Sequence, residues 1–180
     1  NVPLTTFRTT LDSIESRVEA LETLLMPVNQ SFISTGTSLA LPEGPTAVAA
    51  WPAANRALFV PFSLGVAKTI VSVGRWGGST LGGTNCDQGI YDSNGVKLYS
   101  TGSLVPSVGA LQIAMSLAIK PGNYYMAFSA DSAAPIYFGY PLRGVQLLGV
   151  REMAAAFPLP ASITFGDLTT DYAPHISIGM

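Results

Sequence analysis

Leu111-Gln112-Ile113-Ala114-Met115-Ser116-Leu117-Ala118-Ile119 alternates strictly between large apolar and small residues. In an extended chain successive side chains point to opposite faces, so this run predicts a strand with two unlike faces. Leu111, Ile113, Met115, Leu117 and Ile119 fill a core, while Gln112, Ala114, Ser116 and Ala118 leave a low surface that a neighbour can cover closely. Lys120-Pro121-Gly122-Asn123 follows, with Pro and Gly in the order of a type II turn, which predicts a hairpin. A second hairpin is expected at Ser93-Asn94-Gly95, where the Asn-Gly pair favours positive φ. Further short β-rich runs, punctuated by Gly, Pro and Ser, fall at 31–34, 57–64, 69–76, 88–92, 97–101, 124–130, 136–139 and 175–178. This pattern predicts an all-β sandwich, jelly-roll-like, over residues 57–180. Residues 28–56 read as an extended linker with a first strand. Within them the Ala/Pro-rich stretch 45–55 is expected to run as a connection on the surface.

The first 27 residues follow a different period. Leu4, Phe7, Leu11, Ile14, Val18, Leu21 and Leu25 step by three and four without a miss. With Leu4, Leu11, Val18 and Leu25 at heptad position a and Phe7, Ile14 and Leu21 at d, they form a coiled-coil seam. Pro3 suits a first helical turn, and Pro27 disfavours helix at Met26. A helix of this length, roughly 35 Å, is marginal alone in water. Burying its seam side chains at about 1.5–3 kcal/mol each is a far larger effect, so the helix calls for partners. An amphipathic helix lying on its own domain is the alternative, and the strict seven-residue repeat favours self-association. Leu at a with Ile at d favours three or four strands over two. Arg17 and Glu22 take the g and e positions of Arg-x-x-x-x-Glu, a short pattern of three-stranded coils in which the Arg stem covers the seam. A homotrimeric stem or anchor over residues 1–27 is therefore expected.

Composition narrows the function. The 180 residues carry nine Lys or Arg and eleven Asp or Glu, a formal net charge of -2. No basic field for nucleic acid and no cationic cluster for an anionic membrane is present. No apolar run is long enough for a membrane-spanning helix, and the opening Asn1-Val2-Pro3-Leu4-Thr5-Thr6 lacks the order of a secretion signal.

No residue pattern points to catalysis. His175 is the single histidine and Cys86 the single cysteine, so neither a zinc cluster nor an intrachain disulfide is available. Both read as packing residues. Asp87, Asp92 and Asp131 lack the spacing of a calcium loop, and Asp92 reads as turn chemistry. The run from Arg75 to Gly83 is Gly-rich without the phosphate-loop Lys, and is expected as a long flexible loop. The acids are too scattered to nominate a glycosidase pair. Trp76, Tyr91, Tyr99, Tyr137 and Tyr140 are candidates for a sugar-stacking platform, with core packing as the alternative. The expectation is a binding or structural module with no cofactor and no catalytic or metal-binding residues.

Three stretches, taken in order, resemble bacteriophage and prophage fibre-type proteins. They are the Gly-Ile-Tyr-Asp hairpin in Cys86–Leu98, the Pro-Gly-x-Tyr-Tyr-x-Ala strand pair in Leu117–Ala127, and Gly149-Val150-Arg151-Glu152-Met153 with Phe157-Pro158-Leu159-Pro160-Ala161. The resemblance implies a virion surface protein, assembled in the host cytoplasm: a homotrimeric tail-fibre or spike head contacting other virion proteins and host-surface glycans. A capsid cement or head-decoration trimer is a second possibility, to which the lack of a long shaft adds weight. A secreted carbohydrate-binding module is a third. The matched stretches carry turns and strands, and no binding residue transfers with them.

Overall fold

A computed structural model describes residues 33–35, 47–78, 85–105, 107–134, 136–141, 149–167 and 172–180. The expected helix, with Leu4, Phe7, Leu11, Ile14, Arg17, Val18, Leu21, Glu22 and Leu25, lies outside the described residues. The described chain is all-β. Its strands are β1 (Ile33–Thr35), β2 (Ala47–Ala50), β3 (Arg56–Leu64), β4 (Lys68–Gly77), β5 (Cys86–Asp92), β6 (Lys97–Ser100) and β7 (Gly109–Ile119). They continue with β8 (Gly122–Ala130), β9 (Ile136–Pro141), β10 (Arg151–Met153), β11 (Gly166–Asp167), β12 (Tyr172–Pro174) and β13 (Ile176–Gly179).

They form two sheets. One has seven strands, with β1-β13-β4-β9-β12 along its path, β2 on β9 and β7 on β4; the other runs β11-β10-β3-β8-β5-β6. All pairings are antiparallel except that of β1 with β13. A shared core lies between the sheets, as in a sandwich: Ile70, Val73, Ile176 and Ile178 from the first meet Leu58, Val60, Phe62, Ile90, Met126 and Phe128 from the second. The six-stranded sheet is apolar on its other face too. There Ala57, Phe59, Tyr91 and Ala127 are sealed by Ala156, Leu159 and Ile163 of the segment 149–167. Strands buried on both faces read as continuous apolar runs instead of alternating ones, which suits Arg-Ala-Leu-Phe-Val-Pro-Phe in β3.

The alternation in β7 sets its orientation as expected. Ile113, Met115 and Leu117 pack on the inter-sheet core, and Gln112, Ala114, Ser116 and Ala118 face outward. The hairpin expected at Lys120–Asn123 is not formed. β7 pairs with β4 in one sheet and β8 with β3 and β5 in the other, so Lys120-Pro121 carries the chain across the core. The apolar residues of β7 and those of β8 (Tyr124, Met126, Phe128) fill the same core from opposite sides, which a flat hairpin would forbid. The Tyr124 hydroxyl closes the corner by donating to Lys120 O at 2.8 Å.

Two other expectations give way. Within the stretch expected as a surface connection, Ala47–Ala50 instead forms a strand on β9, and Trp51 is 1% exposed in the core. Its ring stands edge-on to Phe128 at 5.0 Å, and its indole N–H donates to Arg56 O at 3.0 Å. A large apolar surface with one satisfied polar atom outweighs the local Pro/Ala composition. The Gly-rich run from Arg75 begins inside β4, which extends to Gly77, and Arg75 itself is buried; residues 79–84 lie outside the described residues.

Candidate functional site

The Asp92–Val96 turn forms as its sequence predicts. Asp92 Oδ1 accepts from the backbone N–H groups of Asn94 (2.9 Å) and Val96 (2.8 Å), while Gly95 takes φ +80°. That turn presents β5 and β6 to the segment 157–163, which crosses them as a clamp. Leu159 N donates to Asp87 Oδ2 at 3.0 Å, and the Tyr91 hydroxyl donates to Pro160 O at 2.6 Å. Lys97 Nζ donates to Leu159 O at 2.6 Å, and the Lys97 and Ile163 backbone N–H groups bond to Ala161 O and Gly95 O. Glycine is required beneath the clamp at Gly89, where an added Cβ would lie 2.8 Å from both Leu159 Cδ1 and Tyr99 O.

Asp87 is the polar centre of this node. It is buried, yet its carboxylate accepts from the Ser100 hydroxyl at 2.8 Å and the Thr101 hydroxyl at 3.1 Å besides Leu159 N. A buried carboxylate with such donors is stable where an unpaired one would not be. Burial, reinforced by the Asp87 charge, pushes the Tyr91 phenol well above its usual range, so it stays a neutral donor. The edges of β5 are held by β6 on one side and β8 on the other. The three stretches singled out in sequence therefore come together: the Gly-Ile-Tyr-Asp run in β5, the Tyr-Tyr-x-Ala run in β8 paired with it, and the Phe-Pro-Leu-Pro-Ala run bonded to β5 and β6.

A second buried polar group sits in the inter-sheet core. Arg75 Nη1 donates to Cys86 Sγ at 2.7 Å, with the guanidinium carbon 5.8 Å from the Phe128 ring centroid. Burial pushes the Cys86 thiol up to about 11, against the pull of the adjacent guanidinium. This is the opposite of an activated nucleophile, whose thiolate is favoured at neutral pH. Burial lowers the pKa of His175.

The remaining candidates are spread out. Asp87, Asp92 and Asp131 are each engaged locally, Asp131 with the Asn85 backbone and side-chain N–H groups at 2.8 Å. No group of three His, Cys, Asp or Glu suited to a metal occurs among the described residues. Of the proposed stacking aromatics, Tyr91 is fully buried and belongs to the node, and Tyr99 is half-buried against the core. The side chains of Trp76, Tyr137 and Tyr140 lie outside the described residues. No helix among the described residues is long and apolar enough to cross a membrane. No known protein family matches the chain, and no significant match occurs among curated proteins or solved structures.

Proposed function

We propose that the chain is the jelly-roll-like head of a homotrimeric fibre or spike on a bacteriophage virion, carried on a coiled coil at residues 1–27 and serving attachment to host-surface glycans. One observation carries this reading. The three stretches that resemble phage fibre proteins lie far apart in sequence, yet they interlock through Asp87, Tyr91 and Leu159 into one packed node. That these stretches build one substructure supports the reading more than three separate short resemblances would. The node is architectural, so it supports a head whose work is presentation. Attachment rests on the resemblance, and the trimer on the seam from Leu4 to Leu25.

Sedimentation of the full chain tests the assembly. A mass of three chains is expected, and Ile14→Asp should disperse it, because three carboxylates would be buried near one axis. A one-chain mass for the unmodified protein, or an unchanged trimer in the variant, refutes the seam. Binding of the soluble trimer to an array of bacterial surface glycans tests attachment. An array without signal, with antibody against the chain labelling capsids and not tails, replaces adhesion by capsid decoration.

A further inference from the structure

The inter-sheet core encloses a positive charge. Arg75 of β4 is 1% exposed and lies two residues from Val73, so both share the inward face of their sheet. On β5, Gln88 stands between Cys86 and Ile90 on the inward face and is 0% exposed. The two polar side chains converge on one ring. Arg75 Nη1 donates to Cys86 Sγ at 2.7 Å, and the guanidinium carbon lies 5.8 Å from the Phe128 centroid. Phe128 is in turn the register partner of Gln88 on β8. Beyond that one bond, Arg75 Nε and Nη2 and Gln88 Nε2 and Oε1 are buried and have no hydrogen-bond partner among the described residues. No described carboxylate pairs with Arg75 either. Asp87 and Asp131, whose charges reach Cys86, spend their oxygens on Ser100, Thr101, Leu159 and Asn85.

We infer that Arg75 and Gln88 form an interior site for a small monovalent anion of the halide class, seated on the Nε–Nη2 edge of the guanidinium. That edge offers two parallel N–H groups, the fork with which arginine takes negative charge. Sign decides between an ion and a water. A water would satisfy the N–H groups and leave the buried charge unbalanced, and such a charge is costly in a core. Cys86 does not balance it, because burial pushes its thiol up to about 11 and keeps it neutral at neutral pH. The Phe128 ring offsets only part of the charge. Size decides the class of anion. The interior is close-packed, so a single-atom ion suits it, whereas a phosphate would bring more oxygens than these donors can meet. The Gln88 amide N–H donates to the same ion, and its Oε1 accepts from a water bridging to Nη2. The site lies within one chain and depends neither on the trimer nor on attachment.

The test uses the full chain at neutral pH, with sodium chloride replacing sodium gluconate at constant ionic strength. Gluconate is too large for a close-packed core and serves as the inert anion. A folded-state site makes the unfolding constant fall nearly tenfold for each tenfold rise in chloride above its Kd. Arg75→Met occupies a similar volume without charge and should unfold with no chloride dependence. Gln88→Leu removes one bond to the ion and should move the dependence to about tenfold higher chloride. Crystals of the unmodified chain grown in sodium bromide should give an anomalous peak between the sheets, against Arg75 Nε and Nη2. That measurement decides alone if Arg75→Met fails to fold. Chloride dependence that survives in Arg75→Met belongs to the surface and overturns the inference. An unmodified chain without chloride dependence overturns it too, and a bromide peak beside Arg75 in that case is binding at crystal concentration only.

Discussion

Replacing Asp87 by Ala tests whether the clamp on β5 and β6 is held by its buried carboxylate. The structure lets the cost be divided among donors. Ser100 Oγ also accepts from Gly102 N, and Thr101 Oγ1 also donates to Gly102 O, so both hydroxyls keep a partner when Asp87 is removed. Leu159 N has its acceptor in Asp87 and is buried, and stranding it costs about 1–3 kcal/mol. Losing two bonds to a charged acceptor adds to this, and relief from burying that charge subtracts. The net expectation is a loss of about 2–4 kcal/mol, or roughly 5–15 °C in Tm. Asp87→Asn should cost about half as much, because its oxygen can face Leu159 N while its amide donates to the hydroxyls. Urea unfolding gives the stabilities, and hydrogen exchange at Leu159 locates the effect. If Asp87→Ala loses under about 1 kcal/mol and the Leu159 amide stays protected, the carboxylate does not hold the clamp.

Three further outcomes follow from burial. The Cys86 thiol titrates at about 11 when folded against 9.0 for the free group, so the unfolded chain loses its proton first, and stability should fall by about 2–3 kcal/mol as pH rises through that window. Cys86→Ala should reduce the slope in alkaline unfolding titrations, leaving the contribution of Tyr91, whose phenol burial also raises, at higher pH. His175, whose pKa burial lowers, acts at the other end. Unfolded chains take up its proton first, so stability should decline as pH drops below 6.5, and a histidine NMR titration should place the folded midpoint under that value. Gly89→Ala should destabilise by about 1–3 kcal/mol in thermal unfolding, since both Leu159 and the Tyr99 carbonyl must yield, while Gly65→Ala, with nothing within 4 Å, should be near neutral.

Much of the fold was legible where one physical demand dominates. Alternation in β7 fixed its faces because the core accepts only one of them, and Asp92 with Gly95 defined the turn because its bonds are local. Pairing was less legible. Pro121-Gly122 suits a turn, but whether the next strand returns to the same sheet depends on where the apolar face of β8 must go. β10 and β11 are too short for any period to register, and β2 and Trp51 are held by partners far along the chain. The node was visible as three patterns without a hint that they touch, since a buried Asp87 looks in sequence like any surface aspartate. Arg75 gave no signal of burial for the same reason. The expected seam lies outside the described residues, so its evidence remains the heptad spacing itself.

Strand order carries a consequence for biosynthesis. β4 is bordered by β13 along Ser72–Arg75, and β3 by β10, so neither sheet is complete until residues near the end of the described chain have emerged. Folding of the head is therefore a late event on the ribosome, dominated by contacts distant in sequence, which form slowly. If residues 4–25 associate as proposed, nascent chains on neighbouring ribosomes would meet through their leading segments while their sheets were still incomplete. Chaperone demand and translation speed would then govern yield more than the stability of the finished molecule.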